Sequence, residues 1–139
     1  MIEPVLLDTG PLVAILHKRD AQHMRCIRTM KDLRGGLVTC WPVLTEAAWL
    51  LRMHPRAIQR LMDGVSSGAY LLAELPKEAA KWIGTFLARY GSQRAQLADA
   101  ALMYLAERER IETVFTLDRR DFSLYRLTSG RTLQMVPEV

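Results

Sequence analysis

Short apolar runs recur along this chain at intervals that leave room for helices between them, and that alternation restricts the fold more than any other feature. Val5-Leu6-Leu7, Leu37-Val38-Thr39-Cys40, Tyr70-Leu71-Leu72 and Thr113-Val114-Phe115-Thr116 each read as a strand, and Thr132 to Val136 reads as a fifth at an edge. Helices are expected from Leu12 to Lys18, from Asp20-Ala21 to about Leu33, from Pro42 onward, from Pro55 to Val65, from Lys77 to about Tyr90 and from Arg94 or Ala95 to Arg110. Proline suits the first helical turn because its missing N–H is an orphan there anyway. Leu44, Ala47, Ala48 and Leu51 follow the i, i+3, i+4, i+7 stripe of a helix facing a core, and Ala98, Ala101, Leu102 and Leu105 form a second such stripe. Gly35-Gly36, Ser66-Ser67-Gly68 and Gly91-Ser92 break the pattern. Strands separated by helices at this spacing indicate an α/β domain with a parallel sheet.

The chain has 139 residues, half of them apolar, with no internal repeat and no composition shift that would mark a linker. One domain over residues 1–139 is expected, large enough to bury a real core. No apolar stretch is long enough to span a bilayer. The start Met1-Ile2-Glu3-Pro4 lacks the basic, long-apolar pattern of a signal peptide, so a cytoplasmic location is expected. Cys26 and Cys40 make no disulfide framework, and the three histidines lack zinc-ligand spacing. Nineteen Lys plus Arg against fifteen Asp plus Glu leave a net charge of +4, and fifteen of the cations are Arg. Guanidinium suits phosphate because its planar fork donates two hydrogen bonds at once.

Four acids stand where such a fold would bring them together. In open parallel sheets, ligands bind at the carboxyl ends of the strands. Asp8 directly follows the first strand, and Asp118 follows the fourth by two residues. Glu46 and Asp99 lie in the first turns of helices, and a crossover helix starts at the edge where the strands end. All four carboxylates are therefore expected on one rim. Asp99 sits in Leu97-Ala98-Asp99-Ala100-Ala101-Leu102, where a bare charge is costly to bury without a cation or strong donors.

Each acid also has a structural explanation. Glu46 and Asp99 would favour a helix macrodipole by about 0.3–1 kcal/mol each. Asp8 or Thr9 would serve as an N-cap, and Asp118 would open a turn. Four such residues on one rim, with no lysine in the same turns, favour a shared role. Converging carboxylates repel one another and stay ionised when a divalent cation sits between them. Oxygen ligands without Cys or His point to Mg²⁺ or Mn²⁺, and the chemistry that follows is hydrolysis of a phosphodiester.

These segments resemble the PIN-domain family, and within it the VapC-type toxin ribonucleases of toxin–antitoxin pairs. The resemblance rests on Leu6-Leu7-Asp8-Thr9-Gly10-Pro11-Leu12, Thr45-Glu46, Leu97-Ala98-Asp99-Ala100-Ala101-Leu102 and Thr116-Leu117-Asp118-Arg119-Arg120-Asp121-Phe122, with Asp20-Ala21-Gln22-His23 at the second helix start. It extends over nearly the whole chain. It implies a three-layer α/β/α sandwich around a mainly parallel sheet of four to five strands. It also implies an Mg²⁺- or Mn²⁺-dependent endoribonuclease that leaves a 5′-phosphate, works as a homodimer and is inhibited by a small antitoxin. The metal roles fall to Asp8, Glu46, Asp99 and Asp118, with Asp121 one turn away able to share or take the fourth.

Several other residues invite a role. Thr9 and Thr116 are candidates to position a water molecule, or are a cap and a strand residue. Arg89 and Arg94 flank the break before the Asp99 helix and, with Arg119 and Arg120, are candidates to hold RNA phosphates; the alternative for each is a solvated basic surface. Arg52, Arg56 and Arg60 recur at i+4 and are expected to form one basic helix face for RNA, an antitoxin or nothing. Trp41, Trp49 and Trp82 read as core or dimer-interface residues.

Two rival functions share the fold class. A phosphatase with an aspartate nucleophile would use Asp8, but the acid usually needed two residues on is Gly10 here. A non-catalytic PIN-like domain would only bind RNA or a partner. A receiver domain needs a lysine after a late strand, and none follows Lys81.

Overall fold

The computed structural model describes residues 3–138. Five three-residue strands, β1 (Val5–Leu7), β2 (Leu37–Thr39), β3 (Tyr70–Leu72), β4 (Thr113–Phe115) and β5 (Gln134–Val136), form one sheet in the order β3-β2-β1-β4-β5. Every pairing is parallel, with Leu6 opposite Val38 on one side and opposite Val114 on the other. All three residues of β1 and of β2 are buried, as expected of a parallel sheet covered on both faces. The three-layer α/β/α arrangement that the family resemblance implies is the one observed, with β5 at an edge.

Among the described residues, seven α-helices connect the strands: α1 (Thr9–Leu16), α2 (His23–Asp32), α3 (Trp41–Leu50), α4 (Pro55–Ser67), α5 (Ala79–Arg89), α6 (Leu97–Glu109) and α7 (Arg119–Leu124). Pro42 and Pro55 sit in the first turns of α3 and α4. Two expectations change. Ser66 and Ser67 continue α4, and only Gly68 ends it, in the left-handed conformation that glycine adopts without strain. The expected turn at Asp118 is instead the cap of a short helix, α7. At Gly35 a side chain would run into the carbonyl of Glu3, so β1 and β2 pair closely only because nothing protrudes there.

The buried side chains form one connected cluster that includes Leu6, Leu7, Leu44, Leu102, Leu105 and Phe115. Leu44 and Ala47 of α3 and Leu51 just after it are buried as their spacing predicts, with Ala48 at the margin. Helix α6 is buried nearly all round, beyond its expected stripe, because Ala100, Met103 and Ala106 are covered as well. The core alternative fails for Trp41 and Trp49, which are 56% and 64% exposed. Trp82 is half-buried and stacks on Phe86, with ring centroids 5.6 Å apart. Among the described residues, no helix is long and apolar enough to cross a membrane. The chain leaves β1 toward β2 on one side and reaches β4 on the other, so the carboxyl ends of β1 and β4 flank the point where the strand order reverses, the usual place for a ligand in such sheets.

Candidate active site

At that reversal lies a pocket of about 420 Å³ lined by Asp8, Glu46, Asp99, Asp118 and Asp121, together with Thr9, Arg94 and Gln96. The topology accounts for each acid. Asp8 is the first residue after β1 and caps α1, its Oδ1 accepting from the Thr9 amide at 2.8 Å. Glu46 stands on the second turn of α3, and Asp99 on the first turn of α6. Asp118 caps α7, its Oδ1 accepting from the Asp121 amide at 3.1 Å. All four acids expected on one rim, and the fifth held open as an alternative, share this pocket.

They do not meet at a point. Among the described residues, no three Asp, Glu, His or Cys side chains are gathered closely enough to hold an ion as they stand. Like charges repel, and the better-buried acids have each settled on a donor of their own. The second oxygen of Asp8 accepts from the Thr116 hydroxyl at 2.7 Å, and the Asp118 amide donates back to that same hydroxyl at 2.9 Å. Thr116 thus ties the end of β1 to the start of α7. On the far side of the pocket, the Tyr125 hydroxyl donates to Asp99 Oδ2 at 2.6 Å. The Tyr125 ring is fully buried, packed edge-on against Phe86, Tyr90 and Phe122.

The electrostatics single out two of the acids. Burial pushes the Asp8 carboxyl up to about 7. Its bonds to Thr116 and Thr9 pull it down, and the charges of Asp99 and Glu46 add to the rise. Burial likewise lifts Asp99 to about 6, opposed by Tyr125 and assisted by Asp118, Asp121 and Glu46. Burial and the adjacent Asp118 also raise Asp121. The charges of Asp99 and Glu46 thus bear on Asp8, and those of Asp118, Asp121 and Glu46 on Asp99, although no three of the acids are gathered together. Removing a carboxylate from water disfavours its charged form, and neighbouring charges of the same sign do so again.

The donor set fits a hard divalent cation. It consists only of oxygens, and carboxylates that raise one another's pKa are relieved by a positive charge between them. Thr9 supplies a further sign: the residue lines the pocket, and its buried hydroxyl has no hydrogen-bond partner among the described residues. A buried hydroxyl without a partner costs roughly 1–3 kcal/mol, which an oxygen-rich ligand in the pocket would recover.

The candidate arginines divide. Arg94 lines the acid pocket. Arg89 lines a separate cavity of about 580 Å³ along α5. Arg119 donates from Nη1 to the Pro137 carbonyl at 2.8 Å, which ties α7 to the segment after β5. Arg120 is exposed on α7, where its charge draws Asp121 back down. Both cysteines are free and buried, and burial pushes each thiol up to about 11, which makes them inert. Tyr125 has no signature in the sequence. It lies 26 residues after Asp99, and no local spacing announces a contact between the residue that follows α7 and the first turn of α6.

Comparison with known proteins agrees with this geometry. The PIN domain family model matches residues 5–127. Ribonuclease VapC26 of Mycobacterium tuberculosis is 28% identical over 135 residues, which cover 96% of this chain and all of that protein. Among solved structures, M. tuberculosis VapC20, described as a toxin that cleaves the sarcin–ricin loop, superposes with a TM-score of 0.77 at 19% identity, covering 84% of this chain and 91% of that one. A toxin–antitoxin complex from Klebsiella pneumoniae gives 0.67 at 17% identity, covering 86% and 91%. VapBC2 from Rickettsia felis, bound to a fragment of its promoter DNA, gives 0.60 at 14% identity, covering 95% and 96%.

Proposed function

The chain belongs to the PIN domain family, and on that premise we propose that it acts as a single-domain, divalent-metal-dependent endoribonuclease, the toxin of a toxin–antitoxin pair. The observation that carries this reading is the pocket itself: five carboxylates at the reversal of a parallel sheet, with buried Asp8 and half-buried Asp99 pushed well above their ordinary range. The identity to Ribonuclease VapC26, end to end, supports RNA as the substrate. The toxin–antitoxin relatives support a small protein inhibitor.

In this reading Asp8 and Asp99 are the principal ligands of an Mg²⁺ or Mn²⁺ ion, Glu46 and Asp118 complete the set, and Asp121 shares or replaces Asp118. The ion, when bound, supplies a Lewis acid for a phosphoryl oxygen and favours the attacking form of water. The chain's own groups do the rest. Thr116 fixes the rotamer of Asp8, and Tyr125 fixes that of Asp99. Such partners behind a ligand set its direction and its basicity. Thr9 offers a hydroxyl to a water molecule in the pocket. Arg94 holds a phosphate oxygen at the mouth, against the repulsion that five acids exert on an RNA backbone. Leu50 and Leu117 line the same pocket and limit the water that reaches it. The bond broken is the one between phosphorus and the 3′ oxygen, so the product carries a 5′-phosphate.

A homodimer belongs to the same proposal, supported by the exposed indole side chains of Trp41 and Trp49 on α3. The test of the central reading is cleavage of an RNA oligonucleotide with Mg²⁺, with Mn²⁺ and with EDTA, alongside Asp99→Asn. Cleavage that persists in EDTA or in the variant would refute it. Hydrolysis of small phosphoesters without RNA cleavage would favour the phosphatase, a reading already weakened because no lysine lines the pocket.

A further inference from the structure

Helix α1 carries the acid pocket at one end and a second, opposite site at the other. Its C-terminal end and the start of α4 enclose a cleft of about 630 Å³, lined by Lys18, Arg19, Arg56 and Arg60 with the rings of His17 and His54. Among the described residues, no carboxylate lines this cleft. Among the described residues, none of the four cations pairs with an acid within 4 Å, the ion pair found there being Arg108 with Glu109. We propose that this cleft binds phosphate groups of a single RNA strand whose scissile bond lies in the acid pocket. The proposal rests on the nuclease reading and adds to it the place where the substrate is held.

Three observations carry it. The first is charge. The acid pocket repels the backbone it must cut, and Arg94 is the one cation among its lining residues. Affinity for RNA comes mainly from cations that neutralise phosphates, so it has to be supplied from outside the pocket. The second is distance. Helix α1 has eight residues, about 12 Å at the usual rise, and joins Asp8 at one end to His17 at the other. Helix α3 runs the same way, with Glu46 and Leu50 at the pocket and Met53 and His54 just beyond, at the cleft. A strand of a few nucleotides would pass from acids to cations over the exposed side chains of Leu50 and Met53.

The third is the construction of the cleft. Arg60 donates from Nη2 to the Leu16 carbonyl at 2.9 Å, which locks α4 against the end of α1. The His17 and His54 rings stand 4.4 Å apart, tilted by 32°, and an imidazole keeps at least one N–H donor in either protonation state. Arg56 lies in the first turn of α4, where a helix dipole disfavours a cation and favours an anion. A bound phosphate would answer both the dipole and the unpaired guanidinium. An acidic peptide would meet the same cations, but it would have no reason to continue into a pocket of five carboxylates.

The test is fluorescence anisotropy of a labelled RNA of about a dozen nucleotides in EDTA, over a range of salt, with wild type and Lys18→Gln/Arg19→Gln/Arg56→Gln. These three side chains are exposed, and Arg60 is left in place because it holds the fold. Affinity should fall at least about tenfold at low salt, and the slope of log affinity against log salt should flatten by about two, at roughly 0.7 for each phosphate no longer neutralised. The variant should cleave a dinucleotide as wild type does and lose efficiency on the longer RNA through KM. Equal affinity and slope for the two proteins would overturn the proposal and leave the cleft to a protein partner, with the nuclease reading intact if wild type still cleaves. An equal loss from Arg28→Gln/Lys31→Gln/Arg34→Gln on and just after α2 would also overturn it, by showing that net charge and not the cleft holds RNA. Wild type that neither binds nor cleaves RNA would remove the nuclease reading and this proposal together.

Discussion

At the N-terminal end of α1 the charged side chains are short carboxylates, of which Asp8, Asp99 and Asp118 each accept from a protein donor, whereas at its C-terminal end they are long, exposed and unpaired with any described carboxylate. On the proposed reading, the difference reflects two kinds of work. Chemistry needs groups held within a fraction of an ångström, which requires burial and partners and leaves ionisable groups under electrostatic stress. Holding a flexible polyanion needs charge density and tolerates motion, so hydrated side chains on an ordered frame suffice. Changes at the acid end should therefore act on turnover and on pH-dependent stability, and changes at the basic end on affinity and salt dependence.

The largest effect that would break this contrast is expected at Asp99. Asp99→Asn keeps the shape of the side chain and removes the charge, and cleavage of RNA with Mn²⁺ should fall by at least about a thousandfold, the scale seen when a group acting in the transition state is lost. Gel assays of the purified variant against wild type would measure it, and a loss of less than about tenfold would mean that Asp99 is a structural acid.

Next comes the stress on Asp8. Its carboxyl ordinarily titrates near 3.8 and stands at about 7 in the folded protein, so between those values the folded state keeps a proton that the unfolded chain has lost. Stability from this group is fully present below 3.8 and disappears as pH rises through 7. Near pH 8, without divalent ions, Asp8→Asn should therefore be the more stable protein, by on the order of 4 kcal/mol at most. Its advantage should shrink as pH falls toward 4. Thermal melts of both proteins in EDTA across this range would record the gap, and a gap independent of pH would mean that Asp8 is not strained.

Much of the acid end was legible in the sequence because it depends on position along the chain. Asp8 and Asp118 follow strands, and Glu46 and Asp99 open helices, so a parallel sheet puts them on one edge whatever the details of packing. The rest was hidden for physical reasons. Helix α7 has six residues, too few for a periodic stripe, so Asp118 reads as a turn. Tyr125 reaches Asp99 only through the packing of Phe86, Tyr90 and Phe122 around its ring. Trp41 and Trp49 are aromatic, which argues for a core, yet they point outward from a helix whose Leu44, Ala47 and Leu51 already fill the inner face. The cleft was half-visible, since the spacing of Arg52, Arg56 and Arg60 announces a basic face but not Lys18 and Arg19 opposite it.

A smaller effect separates orientation from charge at the acid end. Tyr125→Phe deletes one hydroxyl and leaves the buried ring, so the fold should survive. Asp99 would lose the bond that fixes its rotamer and opposes the rise in its pKa. Partners of this kind typically control metal affinity by about ten- to a hundredfold, and about tenfold weaker Mn²⁺ binding is expected. The readout is the stabilisation of the melt by added Mn²⁺, with cleavage measured in parallel. Unchanged Mn²⁺ titration would assign Tyr125 to the core alone.

The smallest effect is the most informative about the basic end, because it compares two arginines four residues apart. Their spacing predicts a shared helix face for Arg52 and Arg56. Arg52 instead lies over the Trp49 ring at 4.1 Å and donates from Nη1 to the Trp49 carbonyl at 2.9 Å, just after α3 ends. Arg56 stands in the first turn of α4 and lines the cleft. The guanidinium of Arg52 is thus already partnered, and at an exposed site that contact is worth roughly 0.5–1 kcal/mol. Arg52→Gln should cost about that in stability and change RNA affinity by less than about twofold, with the salt slope untouched. Arg56→Gln should do the reverse: negligible change in stability, a few-fold loss of affinity, and a slope flatter by roughly 0.7. If both arginines weaken RNA binding alike, the relevant unit is the general charge of this face, and the cleft between α1 and α4 has no privileged part in it.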